Sequence, residues 1–289
     1  MKCSLCPRKC DSLRDAENGF GYCRCSETMR IARIAPHFGE EPPISGTKGS
    51  GTVFFGGCNL GCCFCQNSVI SVKPTGKPYT PRMLADSIKA LEETGVHNIS
   101  FVTGTQYVEG IIETLNIYRP GVPIVWNCSG YETLETVDKL AEFVDIWLPD
   151  IKYAISEKAA KYSSAPDYPQ VAFDAVERML AHSGVLETDE EGIAKKGVLI
   201  RHLVLPGNTK NSIAVLKEIA QRFGNEVPVS IMSQYIPCGD AEKFPEINRR
   251  VTAREYDKVC AAAQELEING FTQEMTSATK AWIPDFDVS

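Results

Sequence analysis

From residue 52 onward the chain alternates short strand-like runs with helical patterns, and this alternation restricts the possible folds more than any other feature. It predicts an α/β fold, in which parallel strands are joined by right-handed crossovers. The pattern is compatible with an open doubly wound sheet and with a complete or partial barrel. In each of these folds ligands bind at the carboxyl ends of the strands. The predicted strands are 52–55, 99–103, 123–127, 145–148, 198–205 and 227–232.

Helical patterns lie between these runs. Thr80 and Pro81 provide an N-cap and a first-turn proline for the first helix, and Gly95 ends it. A capping-box pattern from Thr252 to Glu255 opens the last helix, which is predicted to run to about residue 266. Apolar residues at helical spacing predict four helices between those two, around residues 111–115, 134–141, 175–180 and 213–223.

Cysteine is the most informative residue type, since nine of the 12 cysteines lie within the first 65 residues. A chain of 289 residues buries enough surface to fold without disulfides, and we expect a cytoplasmic protein, where disulfides rarely persist. The clustered thiols are therefore predicted to bind a metal or a cluster. The net charge of −7 argues against a nucleic-acid partner. No apolar run approaches the roughly 20 residues that span a membrane, so no membrane partner is expected.

Three cysteines follow the first predicted strand, namely Cys58, Cys62 and Cys65, with the spacing C-x3-C-x2-C. Three thiolates on one tight loop can bind three irons of a cubane cluster and leave the fourth iron open for another ligand. The alternative is a zinc site that a distant cysteine completes. Cys63 lies within the same loop, and we interpret it as a packed free thiol.

This loop, with Phe64 before its last cysteine, resembles the signature of radical S-adenosylmethionine (SAM) enzymes. The segments GTVFFGGCNL (51–60), WLPDIKY (147–153) and IRHLVLPG (200–207) resemble those of the pyruvate formate-lyase activating-enzyme-related group. The N-terminal cysteine pattern and HFGEEP (37–42) match a less characterised branch of that group. The resemblance implies a partial (β/α)6 TIM-type barrel, a [4Fe–4S] cluster and SAM. In such enzymes the reduced cluster cleaves SAM to a 5′-deoxyadenosyl radical, which abstracts a hydrogen atom from the substrate.

The resemblance also implies roles for the polar residues that follow the strands. In activating enzymes the matching positions bind the carboxylate and ribose of SAM, partly through a monovalent cation. The matching oxygens here belong to Asn127, to the carbonyls of Cys128 and Leu148, and to Asp150, with Asn127 standing where an acidic residue is usual. The cofactor-binding residues predicted in this way are Thr103, Gly104, Thr105, Asn127, Ser129, Asp150, Lys152, Arg201, His202 and Gln234.

One segment departs from the superfamily pattern. After the second strand the superfamily usually carries Gly-Gly-Glu, whose acid binds the methionyl amino group. This chain has VTGTQ (102–106) there, without the acid. We expect Thr103, Thr105 and backbone carbonyls to replace it.

Other predicted site residues have plainer alternatives. Asp150 would also serve as a helix cap or a solvated turn residue. Arg201 and His202 are adjacent in a strand, so only one of them points into the barrel. An inward Arg201 would bind the methionyl carboxylate or form an internal ion pair with a carboxylate of the barrel. Gln234 follows the sixth strand and would reach adenine or substrate, or simply pack.

The first 30 residues are polar and rich in cysteine, and we expect them to form a small metal-binding lobe. Its predicted ligands are Cys3, Cys6, Cys10 and Cys23, with Cys25 as the spare. A closed four-thiolate site would hold zinc or a second iron–sulfur cluster, and the metal would supply folding energy. Residues 31–50, rich in proline and glycine, are predicted to be a connecting arm, and residues 51–289 to be the barrel.

The predicted function is that of a radical SAM oxidoreductase of the glycyl-radical-enzyme-activating type, which abstracts hydrogen from a glycine of a partner protein. One alternative is the radical modification or epimerisation of a small molecule on the same scaffold. Another is a non-catalytic iron–sulfur or zinc-binding protein. The expected partners are a low-potential electron donor of the flavodoxin or ferredoxin type and a protein substrate.

Overall fold

The computed structural model describes residues 2–274 together with residues 284 and 286. The strands are β1 (Met29–His37), β2 (Ser50–Phe55), β3 (Lys77–Tyr79), β4 (Ile99–Val102), β5 (Ile124–Cys128), β6 (Ile146–Pro149), β7 (Glu187–Thr188), β8 (Ala194–Val198), β9 (Ile200–Leu203), β10 (Val229–Met232) and β11 (Gly270–Thr272). The helices are α1 (Pro42–Ser45), α2 (Ser68–Ser71), α3 (Pro81–Glu92), α4 (Val108–Ile117), α5 (Leu134–Leu140), α6 (Ser156–Ser163), α7 (Tyr168–Ser183), α8 (Thr209–Phe223) and α9 (Ala253–Glu265).

Parallel strands build a partial barrel. β2, β4, β5 and β6 pair side by side in parallel, and β6 continues to β8. β9, β10 and β11 form a second parallel set, which a bridge between Asp150 and Arg201 joins to the end of β6. β9 lies within the fifth predicted strand (198–205), whereas β8 precedes it and overlaps the prediction only at Val198. The α/β prediction and the partial barrel are therefore confirmed.

The helices between these strands pack on the outer face of the sheet. Leu84, Ile88 and Leu91 of α3 are buried at helical spacing. The predicted caps are present: the Thr80 hydroxyl accepts the first-turn N–H of α3, and Thr252 opens α9 with a capping box. No helix in the described part of the chain is long and apolar enough to cross a membrane.

The segment predicted as a connecting arm contains more structure than its sequence indicated. The nine-residue strand β1 runs antiparallel to β2, and it also pairs with β3. Pro36 lies near the end of β1, at the edge-type position that a strand tolerates, so its presence did not exclude a strand. The predicted boundary between lobe and arm at residue 30 falls within this strand. The strand was not predicted because it is stabilised by pairing with residues further along the chain.

The rest of the arm fills the amino-terminal end of the barrel. Ile44 of α1 is fully buried and packs with Val125 of β5, Ile146 and Leu148 of β6, and Leu199 between β8 and β9. The carbonyl of Ile44 accepts a hydrogen bond from a buried asparagine side chain at 2.7 Å. This short helix therefore closes one end of the barrel and holds the residues just before it near the other end.

Arg8 is one of the residues through which the cysteine-rich lobe packs against the barrel. Arg8 donates hydrogen bonds to the carbonyls of Asn59 at 2.9 Å, Leu60 at 2.8 Å and Ser163 at 2.8 Å. Its guanidinium also stacks over Tyr22, 3.9 Å from the ring centroid. The lobe is therefore attached directly to the loop that carries the C-x3-C-x2-C cysteines.

Candidate active site at the mouth of the barrel

The loop after β2 places three thiols on one wall of a cavity at the carboxyl ends of the strands. Cys58, Cys62 and Cys65 line this cavity, which has a volume of about 200 Å³. Gly61 turns the loop with φ of +66°, a conformation that residues with a Cβ rarely adopt. Cys63 does not line the cavity and instead lines a groove on the outer surface of the loop. The loop therefore separates three inward thiols from one outward thiol.

Each of the three inward sulfurs accepts one hydrogen bond from the surrounding protein. The backbone N–H of Leu60 donates to the sulfur of Cys58 at 3.4 Å. The hydroxyl of Ser163 donates to Cys62 at 3.2 Å, and that of Ser71 donates to Cys65 at 3.3 Å. Donors placed on cysteine sulfurs stabilise thiolates and adjust the potential of the cluster that they hold. The donor set therefore fits a [4Fe–4S] cluster.

Burial opposes ionisation of these thiols. It raises the pKa of Cys58 to about 11 and that of Cys62 to about 12, and the positive charge of Lys152 only partly offsets it at Cys62. Thiols are iron ligands as thiolates, so cluster binding must displace these protons. The positive charge of iron favours that displacement. We therefore expect iron binding to this loop to be weaker at low pH.

Seven of the ten predicted cofactor-binding residues lie on the same cavity, facing the three thiols. These are Thr103, Asn127, Ser129, Asp150, Lys152, Arg201 and Gln234. They come from the ends of five different strands, and the parallel arrangement brings those ends together. The cavity is therefore lined by thiols on one side and by charged and amide groups on the other.

The other three predicted residues lie outside the cavity. His202 is fully buried behind the strand, and its Nδ1 contacts the carbonyl of Ile151 at 2.7 Å. Thr105 is buried and donates a hydrogen bond to Glu132 at 2.6 Å. Gly104 packs beneath Trp126, where a Cβ would approach the indole to 2.9 Å. Side chains alternate between the two faces of a strand, so His202 points away from the cavity because Arg201 points into it.

Arg201 is the centre of a buried charge network on the cavity wall. Its Nε donates to Asp150 at 2.9 Å, one terminal nitrogen donates to Glu40 at 2.9 Å, and the other donates to Asn127 at 2.6 Å. Lys152 Nζ contacts the second oxygen of Asp150 at 2.5 Å. Arg201 therefore forms the internal ion pair, and its guanidinium is bonded within the protein rather than directed at a ligand.

The pKa values of the two acids in this network are shifted in opposite directions. Burial alone would raise the pKa of Asp150, but the adjacent charges of Arg201 and Lys152 hold it below the ordinary value. Burial raises the pKa of Glu40, and the attraction of Arg201 only partly offsets this. Burial works against the charge of Lys152, but Asp150 and the Cys62 thiol raise its pKa. Asp150 and Lys152 are thus a fixed pair of opposite charges, and Lys152 lies close to the thiols.

Three of the four residues whose oxygens are predicted to bind a monovalent cation already have hydrogen-bond partners for those oxygens within the protein. Asn127 and Asp150 accept hydrogen bonds from Arg201, and the carbonyl of Cys128 accepts the backbone N–H of Asp150 at 2.9 Å. The guanidinium of Arg201 supplies positive charge among these oxygens instead.

Sequence reasoning did not select several residues that line the cavity. Glu40 is the most important of them, because it bonds both Arg201 and Asn127 from the arm before α1. The acidic pair in HFGEEP was its only signal, and nothing in that pattern indicates which strand ends it reaches. The remaining missed residues include His37, Gly39, Gln66, Asn67, Leu203 and Met232.

Glu132, which accepts the hydrogen bond from Thr105, is another buried acid, and burial raises its pKa to about 7. It is 1% exposed, and one of its oxygens has no hydrogen-bond partner. Because the pKa of Glu132 is higher in the folded than in the unfolded protein, its protonated form stabilises the fold. This stabilisation is complete below the pKa of the unfolded state and is lost as the pH rises towards 7. The ionised form of Glu132 therefore destabilises the folded protein above neutral pH.

We expect Glu132→Gln to be more stable than the parent protein at pH 8, by up to roughly 3 kcal/mol, and similar to it below pH 5. Glutamine mimics the protonated acid and does not ionise. The free energy of unfolding of both proteins, measured in urea across this range, gives the difference directly, and the exposed Glu142→Gln is the control. An equal difference at all pH values would show that Glu132 does not titrate as described.

The N-terminal thiols surround a small cavity of their own. Cys3, Cys6, Cys10, Cys23 and Cys25 all line it. The sulfur of Cys25 lies against the cluster loop, so close that a Cβ on Gly57 would meet it at 2.2 Å. The second group of cysteines is therefore in direct contact with the loop that carries the first.

Comparison with known proteins identifies the family. The model of the radical SAM superfamily matches residues 52–220, which is more than half of the chain. The chain belongs to this superfamily, whose members bind a [4Fe–4S] cluster and SAM. It is also 32% identical to the uncharacterized protein MJ0674 of Methanocaldococcus jannaschii over 276 residues, covering 92% of this chain and 75% of that protein.

Solved structures agree on the fold. A radical SAM methyltransferase from Sphaerobacter thermophilus matches with a TM-score of 0.55 at 16% identity, covering 77% of this chain and 65% of that one. Streptococcus suis SuiB bound to precursor peptide SuiA matches with a TM-score of 0.51 at 13% identity, covering 77% of this chain and 48% of that one. This chain thus spans less than two thirds of either structure, and the likeness concerns the barrel alone.

Proposed function

We propose that this protein cleaves SAM reductively at a [4Fe–4S] cluster held by Cys58, Cys62 and Cys65 and uses the product for hydrogen abstraction. One observation carries the proposal: these thiols share a cavity with seven polar residues from the strand ends. When bound, the cluster and SAM supply a 5′-deoxyadenosyl radical. A non-catalytic metal protein has no need for that convergence of charged groups.

The residues of the chain have separable roles in this proposal. Lys152 uses its remaining donors to bind the methionyl carboxylate, since Asp150 occupies only one of them. Thr103 and Ser129 supply hydroxyls to the amino group and ribose, and Gln234 supplies an amide to adenine. Arg201 is a positioning residue, because it fixes Asp150 and through it Lys152. The apolar side chains of the cavity limit the access of water, which would quench a radical intermediate.

For the substrate, we propose a backbone glycine of a partner protein, with a low-potential flavodoxin or ferredoxin as the electron donor. The resemblance to activating enzymes supports this choice. The test is anaerobic incubation of cluster-loaded protein with SAM and dithionite, followed by chromatography for 5′-deoxyadenosine. A candidate glycyl radical enzyme is then added, and electron paramagnetic resonance (EPR) reports whether a glycyl radical forms. Deoxyadenosine without a protein radical would favour a small-molecule substrate, and absence of deoxyadenosine would overturn the proposal.

We also propose that a second metal, either zinc or a second iron–sulfur cluster, draws Cys3, Cys6, Cys10 and Cys23 together on binding, since among the described residues no three such side chains surround a point that one ion would occupy. Two observations support it: five thiols line one cavity, and residues 2–28 form no helix, so a bound metal would add folding energy to a segment with little regular structure. The double variant Cys3→Ser/Cys6→Ser is expected to lose one metal centre while keeping the four irons of the catalytic cluster, and to unfold at lower temperature. Elemental analysis measures this, with Cys260→Ser as the control. Zinc-free protein with four irons and freely alkylated N-terminal thiols would contradict it.

A further inference from the structure

The cluster loop is exposed on two sides. Cys58 and Cys62 line the cavity inside the barrel, and they also line a groove of about 740 Å³ on the outer surface of the loop. Cys63 lines only the groove and not the cavity. SAM and substrate take the inner side in the proposed function. Another molecule can therefore reach the thiols from the outer groove without displacing SAM or the substrate.

The charge of this outer groove is opposite to that of the chain. Arg24, Lys161 and Lys243 line it, with Asp240 as the one acidic side chain among its described lining residues. When Glu246, the ion-pair partner of Lys161, is counted with these four residues, the groove carries a net charge of +1, whereas the whole chain carries −7. Lys161 and Lys243 are paired with acids of the protein, but their side chains are 46% and 63% exposed. Such pairs are weak in water and can be exchanged for a partner's acids.

The same groove carries apolar side chains that the protein leaves in solvent. Phe20 is 75% exposed, Val72 is 63% exposed and Tyr22 is 43% exposed, and all three line the groove. Aromatic groups ringed by charges are typical of transient protein interfaces, where the charges guide the encounter and the apolar centre holds it. The groove therefore has both features of a docking surface.

We propose that an acidic one-electron carrier protein docks in the outer groove and reduces the cluster through Cys58 and Cys62. This inference rests on the proposed function and names the partner of the same site. The flavin hydroquinone of the carrier gives one electron to the cluster. The flavin is thereby oxidised to the semiquinone, and the cluster is reduced by one electron. No bond is made or broken at this step. The positive charges of the groove attract an acidic carrier, and its apolar centre orients it.

The double variant Arg24→Glu/Lys243→Glu tests the proposal in the cluster-loaded full chain. Deoxyadenosine formation driven by a purified acidic flavodoxin in its hydroquinone state is expected to fall about tenfold or more. Formation driven by dithionite is expected to stay unchanged, because a small reductant needs no docking surface. Calorimetry gives a second readout, independent of turnover: the dissociation constant for oxidised flavodoxin should rise by a similar factor.

Lys89→Glu/Lys217→Glu is the matched control, since it makes the same change in net charge on the exposed faces of α3 and α8. In the parent protein, added salt is expected to slow the flavodoxin-driven reaction but not the dithionite-driven one. Equal loss in both double variants, or no salt dependence, would overturn the proposal. Concentration-dependent self-association abolished by the groove variant would assign the groove to a second copy of the chain instead. Loss of the dithionite reaction in the parent protein would instead refute the proposed function.

Discussion

Replacing Cys58, Cys62 or Cys65 with alanine is expected to remove about four irons per chain and to abolish SAM cleavage. Each thiol lines the cavity, and each sulfur has its own hydrogen-bond donor. With one ligand missing, the cubane has only two protein bonds in this loop and is lost on purification. Iron and sulfide analysis of anaerobically reconstituted protein measures the loss, and chromatography for 5′-deoxyadenosine measures the activity.

Cys63→Ala is the matched control within the same loop, since Cys63 faces the outer groove. It is expected to keep the full iron content and most of the dithionite-driven activity. If the Cys63 variant lost the cluster while the Cys58 variant kept it, the loop would bind iron in a different register. An iron content equal to that of the parent protein in all four variants would also contradict the prediction, since the catalytic cluster would then lie elsewhere.

The second large effect is expected at Arg201. Replacing it with methionine leaves Glu40 without a cation and Asp150 with Lys152 as its remaining cation. Removing one partner of a buried ion pair typically costs 3–5 kcal/mol of the free energy of unfolding. The loss should worsen at higher pH, where both acids are ionised. The variant is also expected to bind SAM poorly even where it folds, because Asp150 then no longer fixes Lys152. Denaturation under anaerobic conditions gives the stability, and titration with SAM gives the affinity.

Two further variants keep this prediction testable. Arg178 forms an exposed pair with Asp138, so Arg178→Ala is expected to cost no more than about 1 kcal/mol. The double variant Glu40→Gln/Arg201→Met removes an acid together with the cation, and it should recover part of the stability lost in Arg201→Met. Equal stability of Arg201→Met and the parent protein would contradict the description of the network as buried and mutually dependent.

Local sequence patterns predicted most of the helices and strands of the barrel. Strand runs, helical spacing and the caps at Thr80 and Thr252 each depend on neighbouring residues, and the corresponding elements are present where expected. The C-x3-C-x2-C loop is equally local, so the sequence placed its thiols beside the strand ends correctly. The same reasoning selected Asp150 and Lys152, because residues just after a parallel strand lie at the binding edge.

Contacts between distant segments were beyond that reasoning. β1 is stabilised by pairing with β2 and β3 rather than by its own composition, and Glu40 reaches Arg201 across 161 positions of sequence. Arg201 was expected to bind SAM or to form an ion pair, and only the three-dimensional position of Glu40 and Asp150 decides between these. His202 and Thr105 were selected by adjacency, which does not indicate the direction of a side chain.

The most direct measurement of the central claim is EPR spectroscopy of the reduced, cluster-loaded protein with and without SAM. Three thiolate ligands leave one iron of the cluster open, so SAM is expected to bind that iron and change the signal. The Lys152→Ala variant should need a higher SAM concentration for the same change. A [4Fe–4S] signal that SAM leaves unaltered in the parent protein would contradict the claim, because the cluster would then have no open iron.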